Sequence, residues 1–356
     1  MRRNKAFFIG LAWLSFVLGS CMPAVPGPGS TPAPRTLNIM THDSFDASTS
    51  LIEAFEQSHN VRLNILKSGD SGAALNKAIL SKDVPLADVF YGVDNAFLSR
   101  ALGSGIFDAY DAPALATIPS AFQLDPQHRA LPVDYGDVCL NYDKAYFASH
   151  NLSLPLSLDD LTQPEYRGLL VVEDPATSSP GLAFLLATVA HFGDPGFLDF
   201  WRALRANGVA VVDGWETAYY TNFSAASGHG PQPMVVSYAS SPPAEVVFAD
   251  PPISEPPTGT LTGADMCFRQ IEFVGILHGT PNRGLAEAFV DFMLSTPFQE
   301  DMPLKMFVFP VNPQAGLPEV FSRFAEIPAQ PATLTPEEIA LHRDAWIQAW
   351  HQAVLE

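Results

Sequence analysis

From Leu37 onward, short apolar runs alternate with longer stretches whose apolar residues recur at helical spacing. "LNIMTH" predicts a strand, and "SLIEAFEQSH" places Leu51, Ile52, Phe55 and then His59 near one helical face. "VRLNIL" alternates as a strand does, "AALNKAILS" is helical, and "ADVFYGV" is a buried strand. The second half repeats the rhythm with "GLLVVED", "GLAFLLATVAHFG", "GVAVVDG" and "PMVVSYA". A Pro-rich loop over residues 251–257 precedes the strand "CFRQIEFVGIL" and the helix "GLAEAFVDFMLS". The tail "TPEEIALHRDAWIQAWHQAVLE" opens with Thr335 as N-cap and Pro336 at the first helical position. Its Trp346 and Trp350 share a face and read as packing residues. Such alternation predicts an α/β chain with mostly parallel sheets.

Length and composition divide that pattern. At 356 residues and 47% hydrophobic, the chain exceeds one compact core and suits two domains. Its formal charge of -19 argues against nucleic acid and anionic membrane surfaces as partners, because phosphate is repelled. A cationic ligand is tolerated.

The N-terminus carries an address. Arg2, Arg3 and Lys5 precede an apolar run from Ala6 to Val17, too short to span a bilayer comfortably, and residues 1–20 read as a secretory signal. Leu18-Gly19-Ser20-Cys21 resembles a bacterial lipoprotein box with Cys21 as the lipidated residue; an ordinary signal peptide beside an incidental Cys is the other reading. The segment "MPAVPGPGSTPAP" then makes residues 21–35 a lipid-anchored tether. No later stretch is long and apolar enough for a second membrane segment. Cys139 and Cys267 remain, either as a disulfide of an exported protein or as two buried thiols.

"SGDSGAAL" contains Gly69-Asp70-Ser71-Gly72, the string around the nucleophile of chymotrypsin-like serine proteases. A serine nucleophile needs a base and a group orienting it, and those enzymes carry the string late in an all-β chain. Here it lies early, between a strand and a helix, and reads as a loop in which Asp70 or Ser71 caps the helix or meets a ligand. Two more helix starts combine hydroxyls with proline: Thr177-Ser178-Ser179-Pro180-Gly181 and Ser240-Ser241-Pro242-Pro243. In "GWETAYYTNF", Trp215 follows a strand after a glycine, placed on a loop to pack or to offer its face to a flat or cationic ligand. Tyr219 and Tyr220 raise a rival reading as ferric-ion phenolates. No zinc, calcium, Walker or dinucleotide motif is present, and no cofactor is expected. Two α/β lobes behind a tethered leader suggest a solute-binding protein with its ligand in the cleft.

Several segments carry a more specific likeness: "THDSF", "ADVFYGVDN", "VDYGDVCLNYDK", "EDPATSSPGL", "DGWETAY", "VVSYASSP", "FVFPV" and "EEIALHRDAWIQAW". In order and spacing the chain resembles the thiamine-binding periplasmic proteins of bacterial ABC transporters, members of the type II periplasmic binding fold. The resemblance implies two lobes, each a mostly parallel sheet flanked by helices, joined by two crossover strands. One lobe comprises residues 36–136 plus 268–314, the other residues 137–267 plus 315–356. It implies ligand contacts at Asp70, Ser71, Ser178, Ser179, Trp215, Tyr238, Ala239, Ser240 and Ser241, with His42, Asp43, Asp137, Tyr219 and Phe307 as further candidates. His42, Ala244 and Phe307 stand where that family usually has aromatic Tyr, Tyr and Trp, so the implied aromatic cage is thinner. "GDVCLNY" and "DMCFRQIEF" look like the crossovers, which would bring Cys139 beside Cys267. The implied protein is a monomeric, extracytoplasmic lipoprotein. It binds thiamine or a thiamine phosphate or pyrimidine relative, delivers it to an ABC permease, touches the membrane only through its anchor, and does no covalent chemistry. Ferric iron or another organic cation is the alternative within the fold, and an exported serine hydrolase the alternative of another class.

Overall fold

The computed structural model describes residues 34–225 and 229–356. The leader, Cys21 and all but the end of the tether lie outside the described residues. Among the described residues, no helix is long and apolar enough to cross a membrane.

Strands Val61–Lys67, Arg35–Thr41 and Val89–Asp94 pair in parallel and form the sheet of the first lobe. Strands Met234–Tyr238, Leu170–Glu173 and Ala210–Val212 do the same in the second. Between them run two long antiparallel crossover strands, Leu131–Asp143 and Phe268–Leu277. The two parallel groups are therefore not separate sheets. One hydrogen-bonded path runs through both crossovers, because each crossover pairs with its partner on one edge and with a lobe strand on the other. Val89–Asp94 is buried at every position, in keeping with the apolar run Val89-Phe90-Tyr91 and Val93 that precedes Asp94.

Helix Ser179–Phe192 packs almost wholly inside the second lobe. Ser178 is its N-cap, accepting from the Gly181 N–H at 3.5 Å, and Pro180 sits in the first turn, where its missing N–H costs nothing. A Cβ on Gly181 would come within 2.6 Å of the Glu173 carbonyl oxygen, so only glycine lets this helix start against its strand. The terminal helix Pro336–Val354 begins with a Thr335–Glu338 capping box. Its buried Trp350 meets Trp201 edge-to-face at 5.3 Å, the Trp346 Nε1–H donates to Asp194, and Arg343 reaches the carbonyl of Ala96. Removing an indole packed like that of Trp350 typically costs about 3–5 kcal/mol.

Cys139 lies in the first crossover strand. Cys267 directly precedes the second, and the register Phe268↔Val138 sets the two opposite each other. They form a disulfide with Cα atoms 4.3 Å apart, closing a separation of 128 residues. The bridge is fully buried beside Ala239.

Candidate functional site

A cavity of about 260 Å³ opens between the lobes, on the scale of one small organic molecule. Its lining comes from both lobes and from a crossover strand: the turn after the first strand (His42 to Asp46), the start of helix Ser71–Leu80, the Trp215–Tyr220 segment, Tyr238 with Ser241, Glu272, and residues 305–308.

Trp215 does not sit on an open loop. It begins a short helical turn that runs into a π-helical turn over Ala218–Asn222. This local winding stacks Tyr219 on the indole, with ring centroids 5.0 Å apart at 24°, and sets Tyr220 edge-on at 5.5 Å. The Trp215 Nε1–H donates to the Ser237 hydroxyl at 2.9 Å, and Ser237 and Ser241 share a hydrogen bond at 2.9 Å. Stacking occupies one face of the ring, and the indole lines the cavity.

The glycines of "GDSG" have separate tasks. Gly69 adopts a φ of +99°, a backbone region that L side chains rarely enter. Asp43 pins it by accepting from the Gly69 N–H at 2.8 Å and donating its own N–H to the Gly69 carbonyl at 3.0 Å. A Cβ on Gly72 would lie 2.9 Å from the Ala176 carbonyl oxygen in the facing lobe. Glycine there lets the backbones meet, and the Ala73 N–H donates to the Thr177 carbonyl at 3.3 Å. Asp70 caps its helix through the Ser71 N–H at 2.7 Å and also accepts from the Trp215 N–H at 3.0 Å. Ser44 reaches Glu216 at 3.4 Å, and Phe307 meets Phe248 edge-to-face at 5.5 Å. These contacts join the two lobes across the cleft. Burial pushes the Asp70 carboxyl up, against the backbone N–H groups of Trp215 and Ser71 that favour its charged form.

The inner end of the cavity is a polar cluster on the crossovers. The Tyr91 hydroxyl lies 2.6 Å from Asp134 and 2.9 Å from Glu272, and the Gln270 amide donates to the Tyr238 hydroxyl at 3.0 Å and to Glu272 at 3.3 Å. Burial and the nearby Glu272 push Asp134 well above the usual carboxylate range. Glu272, although its burial opposes charge, is held low by His42, Tyr91 and Asp134, so it is the ionised member. Burial lowers the His42 pKa, but the Glu272 carboxylate outweighs it and leaves the imidazole raised. A Cβ on Gly92 would come within 2.5 Å of the His42 ring, so that glycine makes room for it.

Of the residues expected from sequence, His42, Asp43, Asp70, Ser71, Trp215, Tyr219, Tyr238, Ser241 and Phe307 line the cavity. Ser178, Ser179, Ala239, Ser240 and Asp137 do not. Ser178 caps its own helix at 3.5 Å and its hydroxyl also supports the Asp70 carboxyl, and both Ser178 and Ser179 are buried. Ala239 lies against the disulfide, and Ser240 is fully buried beside it in the chain. Asp137 pairs bidentately with Arg269 at 2.8 and 3.0 Å. Ser241 makes no side-chain cap, because its hydroxyl is turned to Ser237. Glu272 was missed, as were Lys67 and Lys305 at the cavity edge, the latter 3.3 Å from Asp46. The alternation of "FRQIEF" held the one usable signal for Glu272: an acid inside an otherwise buried strand.

An interlobe cavity, flanked by two crossover strands and lined from both halves, defines a two-lobe solute receptor. The profile described as bacterial extracellular solute-binding protein matches residues 84–324, and the chain belongs to that family. It is 29% identical over 330 residues to the thiamine-binding periplasmic protein of Salmonella typhimurium, covering 90% of this chain and 94% of that relative. The protein of the same description from Brucella suis is 28% identical over 348 residues, covering 96% and 97%. Among solved structures, a periplasmic thiamin binding protein superposes with a TM-score of 0.79 at 27% identity, covering 92% of this chain and 98% of that one. A ferric binding protein from Campylobacter jejuni, at 16% identity and TM-score 0.68 over 89% of this chain and 99% of that one, shares the fold.

Proposed function

We propose that the protein captures thiamine, or a thiamine phosphate, in the interlobe cavity and delivers it to an ABC permease. The observation that carries this reading is the Trp215 indole, backed by Tyr219, in a cavity that also holds the Asp70 and Glu272 carboxyls. A permanently cationic thiazolium gains about 0.5–2 kcal/mol on such a ring, and the acidic lining adds attraction. The relatives described as thiamine-binding support the same ligand. Binding works by closure: each lobe contributes contacts that exist only when the halves meet. In this reading the lobes divide as residues 36–136 with 268–314 against 137–267 with 315–356, Cys21 carries a lipid anchor, the protein acts as a monomer outside the cytoplasm, and no bond of the ligand is broken.

The tyrosine pair does not favour iron. The Tyr219 hydroxyl donates to Glu245 at 2.7 Å, and burial together with that carboxylate pushes its pKa well above the phenol range, which opposes a phenolate.

Calorimetry of the ligand-stripped mature protein with thiamine, thiamine phosphate and thiamine pyrophosphate tests the proposal. Saturable one-to-one binding of at least one of them at micromolar concentration or below is expected. Absence of heat and of competition for all of them would overturn it.

A further inference from the structure

We infer that His42 and Glu272 together read the amino edge of the ligand's heteroaromatic ring and set the cavity's specificity; this rests on the thiamine reading above. Both side chains line the cavity and are more than nine-tenths buried, 7% and 5% exposed. The His42 Nε2 has no hydrogen-bond partner. It lies 3.7 Å from the Glu272 Oε2, within ion-pair range but too long for a hydrogen bond, so the two groups sit side by side where both can meet a third. A buried polar atom left unpaired is costly, and a ligand that pairs it recovers that cost.

The two groups differ in kind. Glu272 is an acceptor, already oriented by Tyr91 and Gln270, with lone pairs to spare. His42 beside it offers Nε2–H as a donor. A planar edge bearing an amino group next to a ring nitrogen presents the complementary donor and acceptor. The 4-aminopyrimidine of thiamine has this edge, and the 4-oxo analogue reverses both positions. The cationic ring then lies toward Trp215 and Asp70, and the hydroxyethyl or phosphoryl end lies toward the more exposed Lys67 and Lys305. The groups facing His42 are Glu272, Asp70, Asp43 and the Tyr91 ring, 5.5 Å away, so an acidic surround holds the imidazole in place.

The test compares thiamine with its 4′-oxo analogue by competition calorimetry on the mature protein and on Glu272→Gln, with His42→Phe as the second variant should Glu272→Gln fail to fold by circular dichroism. The wild type is expected to bind the oxo analogue about thirtyfold or more weakly, the scale of one bidentate edge. The ratio should shrink to within about threefold in either variant, since the Gln amide can donate where the carboxylate cannot. Tight thiamine binding without discrimination in the wild type, or discrimination that survives in the folded variant, overturns the inference and leaves the thiamine reading intact. Loss of all thiamine binding by the wild type overturns both.

Discussion

The Asp70 carboxylate lies across the seam between the lobes: one oxygen takes the Ser71 N–H at 2.7 Å and the other takes the Trp215 N–H at 3.0 Å. One side chain thus caps the helix that forms one wall and anchors the residue that forms the opposite wall. Opening the cleft breaks the second bond and leaves the first, so Asp70 links the position of the indole to lobe closure.

Replacing it should therefore affect closure more than folding. Asp70→Ala is expected to raise the ligand Kd at least tenfold, about 1.4 kcal/mol, while the lost cap lowers stability by about 1 kcal/mol. Small-angle scattering of the ligand-saturated variant should give a larger radius of gyration than the wild type. An unchanged affinity and radius would remove Asp70 from the closing mechanism.

Trp215→Ala should weaken ligand binding at least tenfold, about 1.4 kcal/mol. Trp215→Phe, which keeps a ring but loses the hydrogen bond to Ser237, should fall between the two. Titration calorimetry reads both, and equal affinity across the three proteins would place the indole outside the binding surface.

The Cys139–Cys267 bridge closes a long loop between the crossovers. Loss of such a native bridge typically costs about 2–5 kcal/mol, chiefly by freeing the unfolded chain. The Cys139→Ser/Cys267→Ser double variant should unfold at lower denaturant than the oxidised protein. Thiol titration of the unfolded, unreduced wild type should find neither cysteine free.

Stability should fall as pH rises from 5 to 8. Burial raises Asp94 from 3.8 to about 6, outweighing the hydrogen bonds it accepts from the Phe97 and Ala96 N–H groups. A carboxyl with a raised folded pKa keeps its full contribution below the unfolded value and loses it as pH climbs through the folded one. For Asp94 the whole loss, spread from below pH 4 to above pH 6, is on the order of 3 kcal/mol, and about half of it falls above pH 5. Asp70 and Glu173 shift the same way, as does His42 around its own value, so their losses have the same sign. Glu272, shifted down, acts only at lower pH. Glu173 is buried with neither oxygen hydrogen-bonded to another residue. Glu173→Gln should accordingly raise the Tm at pH 8 more than at pH 5. Thermal melts across that range decide it, and an equal effect at both ends would count against a buried charge.

The helix starts show how far local sequence reaches. Thr335 with Glu338, Ser178 with Pro180, and Asp70 all cap where residue chemistry predicts, because capping involves groups only a few residues apart. Ser241 breaks the pattern: a partner on the neighbouring strand, Ser237, captures its hydroxyl. Ser178 and Ser179 belong to the same kind of string; both are buried and outside the cavity lining, although Pro180, next along that helix, reaches it.

By itself the sequence determined the alternation of strands and helices, the caps, and the short strings from which the cleft is built, since these follow from periods of 2 and 3.6 residues and from neighbours along the chain. Only the tertiary structure decided which polar groups face the cavity. Glu272 reaches it through the register of two strands distant in sequence, Asp137 is drawn away by Arg269, and Asp70 meets Trp215 only where the lobes close. Those pairings depend on which segments lie side by side in space, and no local periodicity encodes that.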